Sequence, residues 1–166
     1  MTYESSAPTY NALRRHEQYE KIRAIQPFLA DAETVLDVGF GTGLASDVLT
    51  HEITGVEPSK AMLKEYQGDA ETVHDSAENL LEHFEEDVFD AAICVSTAHH
   101  FTDPVSVFDD IRAVTKPRGV VAATFLKRDS STPHCIEAFK ETFNDVKTEE
   151  TRHDAVYIGR VPTDNV

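Results

Sequence analysis

The chain has 166 residues, 40% hydrophobic and 27% charged, enough for one domain with a proper core and too few for two. Its 30 Asp and Glu against 15 Lys and Arg leave a formal net charge of −15. Such a field excludes nucleic acid and anionic membranes as partners, because both are held through basic patches. The acids are scattered rather than gathered in a tail, which fits an acidic surface suited to high salt better than a detachable acidic segment.

Residues 1–9 carry Ser, Thr and Pro with little apolar content and read as an arm. From Tyr10 to Leu29 the apolar positions 13, 19, 22 and 25–29 follow helical spacing, and Pro27 is expected to end or kink that helix. The run VLDVG that follows is a buried strand stopped by glycine. EITGVE (52–57) is a second strand with the helix PSKAMLKEY behind it, and ETVH (71–74) is a brief third. FDAAICVS (89–96) and GVVAATFL (119–126) are nearly all apolar, as strands buried on both faces are. The amphipathic helix between them closes in a Lys-Pro-Arg-Gly turn. Beyond it, TPHCIEAFKETF is a helix with Thr132 as N-cap and Pro133 at its first position. VKTEETRHDAVYIGRV then makes an antiparallel hairpin around Arg152, His153 and Asp154. This alternation predicts a single α/β domain over 1–166, Rossmann-like and doubly wound, with a mostly parallel sheet between two helical layers and a C-terminal antiparallel hairpin. Its parts are an N-terminal arm and helix (1–30), a core (33–126), and a terminal helix and hairpin (132–162).

No apolar run approaches a membrane span, and the polar start MTYESSAPTY does not read as a signal peptide. Cys94 and Cys135 have neither metal-ligand nor redox spacing, so no metal site is expected and the protein reads as cytoplasmic.

The stretch VLDVGFGTG puts glycines at 39, 41 and 43 directly after the first strand. A dinucleotide fingerprint would need a third glycine where Leu44 stands, and a phosphate loop would need a lysine that GTGLAS lacks. Both readings are disfavoured, and with them a nucleotide-dependent oxidoreductase. Alternating glycines instead let the backbone approach an uncharged part of a ligand. Glu57, at the end of the second strand, is placed to accept hydrogen bonds from both hydroxyls of a ribose. Read alone, it is equally a surface acid before a helix that has Pro58 at its first position and Ser59 in its first turn. Loop and acid together read as an adenosine site without a demand for pyrophosphate.

With these residues in view, VLDVGFGTG, GVEPSKAML, DSAENL, FDAAICVSTAHHFTDP and KPRGVVAATF resemble, in order and spacing, the successive motifs of class I S-adenosylmethionine-dependent methyltransferases. The likeness is to the small-molecule type often labelled methyltransferase type 11, and it covers roughly 33–126. It implies S-adenosyl-L-methionine as cofactor and a small-molecule acceptor. It further implies that Asp37, Gly39, Gly41 and Gly43 cradle the methionine and ribose parts, Glu57 binds the ribose, and Pro58 and Ser59 border the adenine. Ser76 falls where the family often has an Asp reading the adenine amino group, with Ala77 lending its backbone. Phe40 stands where the family commonly has a small residue, so its ring either lies buried under the loop or crowds the cofactor.

Methyl transfer from a sulfonium is a displacement that needs alignment and exclusion of water, with a base only where the acceptor must lose a proton. His99 and His100, after the fourth strand, are the candidate bases, the alternative being that they only cap the strand. Ser96 and Thr97 either line the methionine end or only end the strand. Lys127 and Arg128 either recognise an acidic acceptor or are solvated. Tyr10 and Tyr19 either close over the cofactor or pack the leading helix. His134 and Cys135, adjacent on a helix, point apart, and Cys94 belongs to the core. The cover after the fifth strand is only KRDSSTP, so a homodimer or the arm (1–18) is expected to complete the site. A non-catalytic cofactor-binding subunit that supports a partner enzyme is the competing reading.

Overall fold

The computed structural model describes residues 15–163. A helix, α1, runs over residues 15–25 and gives way to one 3-10 turn at Gln26–Leu29, where Pro27 interrupts the helical ladder as expected. The remaining elements in chain order are β1 (Thr34–Val38), α2 (Ala45–Val48), β2 (Glu52–Val56), α3 (Lys60–Glu65), β3 (Glu71–Val73), α4 (Leu80–His83) and β4 (Phe89–Cys94). They continue with α5 (Pro104–Val114), β5 (Thr115–Leu126), α6 (Thr132–Thr142), β6 (Asn144–Glu150) and β7 (Asp154–Arg160). Tyr10 and the rest of the arm before residue 15 lie outside the described residues.

The strands form one seven-stranded sheet in the order β3-β2-β1-β4-β5-β7-β6. The β1–β5 neighbours pair in parallel, and β7 runs antiparallel to both β5 and β6. The order reverses between β1 and β4, so the crevice beyond their carboxyl ends is where a sheet of this kind binds ligands. Each face carries its own core. One packs Ile22, Ile25 and Leu29 with Phe40, Leu44 and Leu49 against β1, β2 and β4. The other gathers Phe108, Phe125, Phe139 and Phe143 around α5 and α6, with Phe108 edge-on to the other three.

The amphipathic reading of α5 holds. Its buried residues Pro104, Val107, Phe108, Ile111 and Val114 recur at helical spacing, and Asp103 caps it by accepting from Ser106 N at 3.2 Å. The end of this element differs from expectation. The strand pairing begins already at Thr115, and the register jumps between Phe89 and Ala91 so that residues 116–119 bulge out, with Arg118 at φ +66°. The Lys-Pro-Arg-Gly turn is thus a bulge inside β5. On α6 the N-cap is Ser131, not Thr132, whose hydroxyl donates instead to Leu126 O at 2.5 Å.

Candidate functional site

Three backbone segments converge at the strand switch point. The loop after β1 leaves Val38 through Gly39, Gly41 and Gly43, all with left-handed φ (+82°, +61° and +86°). At Gly39 an added Cβ would lie 2.6 Å from Thr97, so glycine is needed for the loop to sit against the segment after β4. At Gly41 a Cβ would meet nothing nearer than Gly39 O at 4.0 Å, so this part of the loop faces open space.

Two recesses flank that loop. One, of about 100 Å³, is lined by Gly39, Gly41, Glu57, Pro58, Met62, Val95, Ser96, Thr97 and His100. The other, of about 40 Å³, lies against Gln18, Ile22, Asp37, Thr42, Leu44 and Ala45. Each is small beside the roughly 300–1,000 Å³ usual for a small-molecule pocket. They share Gly39, Gly41 and Val95, so an extended ligand would span both by crossing the glycines.

Glu57 ties two of the segments together. Its Oε1 accepts from Gly41 N and its Oε2 from Ser59 N, both at 2.8 Å, while the side chain is buried. Asp37 is also buried, and its Oδ1 has no hydrogen-bond partner among the described residues. Burial first, and the Glu57 carboxylate second, push its carboxyl up to about 7. A buried, unpartnered acid beside a recess is suited to a cationic ligand group, and the sulfonium or ammonium of S-adenosylmethionine is such a group. The residues present therefore fit that cofactor.

Phe40 lines the smaller recess, with nearly all of its side chain buried. The ring lies under the loop, 3% exposed, edge-on to Tyr66 at 4.9 Å. Space for it exists because β2 carries Gly55, where a Cβ would fall 2.3 Å from the ring.

Other candidates take varied places. Ser59 is the N-cap of α3, its hydroxyl accepting from Met62 N at 3.1 Å. Ser76 caps the following 3-10 turn and hydrogen-bonds the Glu78 carboxylate; neither it nor the buried Ala77 lines the two recesses. The His99 and His100 rings lie against each other, centroids 3.9 Å apart and tilted by 44°. Burial lowers the pKa of each, so both imidazoles are neutral at pH 7. His100 lines the larger recess. Lys127 turns to the hairpin, donating to Thr151 O at 3.0 Å. Tyr19 donates to Asp47 Oδ2 at 2.6 Å and so packs α1 on α2. His134 is exposed while Cys135 and Cys94 are buried.

Lys21 was not among the residues the sequence singled out, and Asp154 was named only as part of the hairpin turn. Both side chains are buried, at 1% and 0% exposure, and their charged atoms stand 3.0 Å apart. Helical spacing from Gln18 to Ile22 and Ile25 does place Lys21 on the inward face of α1, which was the available signal. No helix among the described residues is long and apolar enough to cross a membrane.

Residues 36–123, more than half of the chain, match the family described as Methyltransferase domain. The fold is similar to that of an S-adenosylmethionine-dependent methyltransferase from Thermotoga maritima, at a TM-score of 0.79 and 18% identity, covering 96% of this chain and 98% of that one. It is similar to a second such enzyme, from Archaeoglobus fulgidus, at a TM-score of 0.77 and 16% identity, covering 92% and 97%. A methyltransferase of Haloferax volcanii, solved in complex with the Trm112 methyltransferase activator, matches at a TM-score of 0.75 and 15% identity, covering 97% and 98%. No curated protein matches the chain.

Proposed function

The chain belongs to the methyltransferase-domain family, and from that premise we propose that it methylates a small molecule held over the carboxyl ends of β1, β4 and β5. S-adenosylmethionine is its cofactor and, when bound, supplies an activated methyl group that needs little covalent help. The observation that carries the reading is the pairing of Glu57 with the Gly39–Gly43 loop beside the unpartnered Asp37.

In this reading the protein's work is binding, alignment and proton management. Gly41 would let the backbone come against the cofactor without a side chain in the way, while Gly39 lets the loop sit against Thr97. Glu57 would accept from the ribose hydroxyls while holding the Gly41 and Ser59 amides, so loop geometry and ribose recognition depend on one carboxylate. Asp37 would ionise against a cationic group of the cofactor. Pro58 and Met62 would form an apolar wall of the larger recess, and Ser96 and Thr97 would line the methionine end of the cofactor. His99 or His100, neutral at pH 7, would take a proton from an acceptor that must lose one.

The test is methyl transfer to a panel of oxygen, nitrogen and sulfur nucleophiles at high salt, read as formation of S-adenosylhomocysteine. For a base role, His99→Gln or His100→Gln should lower kcat by about 10²–10⁴. Tight binding with no transfer to any acceptor would favour a non-catalytic subunit working with a partner. The short cover after β5, KRDSSTP, together with Phe40 and Ser76, gives that alternative its motive.

A further inference from the structure

The segment that follows β4 carries Ser96, Thr97 and His100 into the larger recess, yet its backbone is not at rest by itself. Ser96 sits at φ +55°, a left-handed conformation that a non-glycine residue keeps only where its surroundings enforce it. Side chains from three distant elements converge on it. From β5, Thr124 Oγ1 accepts from Ser96 N at 2.8 Å. From α1, Lys21 Nζ donates to Ser96 Oγ at 2.7 Å. From the start of β7, Asp154 Oδ2 lies 3.4 Å from the same hydroxyl.

Lys21 is held in turn. Its ammonium stands 3.0 Å from Asp154 Oδ1 and 3.2 Å from Glu17 Oε1 as ion pairs, while it donates a hydrogen bond to the Ser96 hydroxyl. A buried pair of this kind adds little to net stability over an apolar replacement, because desolvating both charges offsets their attraction. Its presence therefore calls for another explanation, and Ser96 supplies one. The next residue, Thr97, is the one that presses on Gly39.

We infer that Lys21 and Asp154 are positioning residues that lock Ser96 in its left-handed conformation and so fix Thr97 and His100 against the glycine loop. This links the leading helix and the terminal hairpin to the wall of the cofactor recess. Neither residue touches the cofactor in this account; both act through Ser96. The inference rests on the proposal that this recess binds S-adenosylmethionine.

The test replaces the pair together, as Lys21→Met with Asp154→Leu, and separately makes Thr124→Val, which removes the acceptor of the Ser96 amide without changing charge. The double variant should melt at or above the wild-type temperature, since apolar substitution of a buried pair is neutral or stabilising. Its affinity for S-adenosylhomocysteine should nevertheless fall about tenfold, because the recess wall is no longer held ready for the ligand. Amide hydrogen exchange at residues 96–100 should quicken in the ligand-free protein, a readout independent of any cofactor. Thr124→Val should show the same two changes in smaller measure, and it decides the matter if the double variant does not fold. A folded variant with unchanged affinity and unchanged exchange at 96–100 overturns the inference. Failure of the wild-type protein to bind S-adenosylhomocysteine would instead overturn the functional proposal beneath it.

Discussion

Replacing Asp37 with asparagine should stabilise the ligand-free protein increasingly as the pH rises. The carboxyl is buried on β1, and burial together with Glu57 raises it from 3.8 to about 7 in the folded chain. Below its unfolded value the group is neutral in both states, and its contribution to stability is fully present. Between that value and about 7 the unfolded chain ionises while the folded chain does not, so stability is lost as the pH rises. At 1.36 kcal/mol per unit the whole loss is on the order of 4 kcal/mol, of which about 2–3 kcal/mol falls between pH 5 and pH 8. Asparagine does not titrate, so the difference in unfolding free energy between variant and wild type isolates this one group. Urea unfolding at a fixed high salt concentration, at pH 5 and pH 8, measures it by linear extrapolation. The variant's advantage should grow by that 2–3 kcal/mol across the interval, and saturating S-adenosylmethionine should shrink the wild-type pH dependence by drawing the proton off Asp37. Stability curves that stay parallel from pH 5 to pH 8 would refute the reasoning.

Two further outcomes follow from the packing around the glycine loop. Gly55→Ala would force a Cβ into the Phe40 ring and should cost about 1–3 kcal/mol, the range for overpacking, with much of the loss recovered in the double variant that also carries Phe40→Val; thermal unfolding of the four proteins in the cycle checks it. Glu57→Ala should weaken S-adenosylhomocysteine binding by about 1.5–3 kcal/mol in calorimetry, the value of hydrogen bonds to a charged group, and unchanged affinity would remove Glu57 from the site.

How much could be read from the sequence depended on how local the signal was. The strands β1, β2, β4 and β5 announce themselves as short apolar runs stopped by Gly, Glu or polar residues, and the helices between them as 3.6-residue spacing. Their alternation is enough for the parallel sheet, and the short final segment enough for the antiparallel pair. The glycine loop and Glu57 were legible because each follows its own strand directly. The direction of the Phe40 ring was not, since it depends on a neighbouring strand, though Gly55 within EITGVE was a clue that something large lies across it. Ser59 also caps α3, a role a serine before a helix often takes. The Lys21–Asp154 pair joins α1 to β7, residues far apart in the chain that only the folded sheet brings together. The same holds for Lys127, after β5, whose partner Thr151 lies in the turn between β6 and β7.

Calorimetric titration of the protein at high salt with S-adenosylhomocysteine, and separately with NAD, tests the central claim most directly. The account predicts saturable binding of S-adenosylhomocysteine at one site per chain and none of NAD, because Leu44 replaces the glycine a dinucleotide loop needs. Binding of NAD in preference to S-adenosylhomocysteine would contradict it.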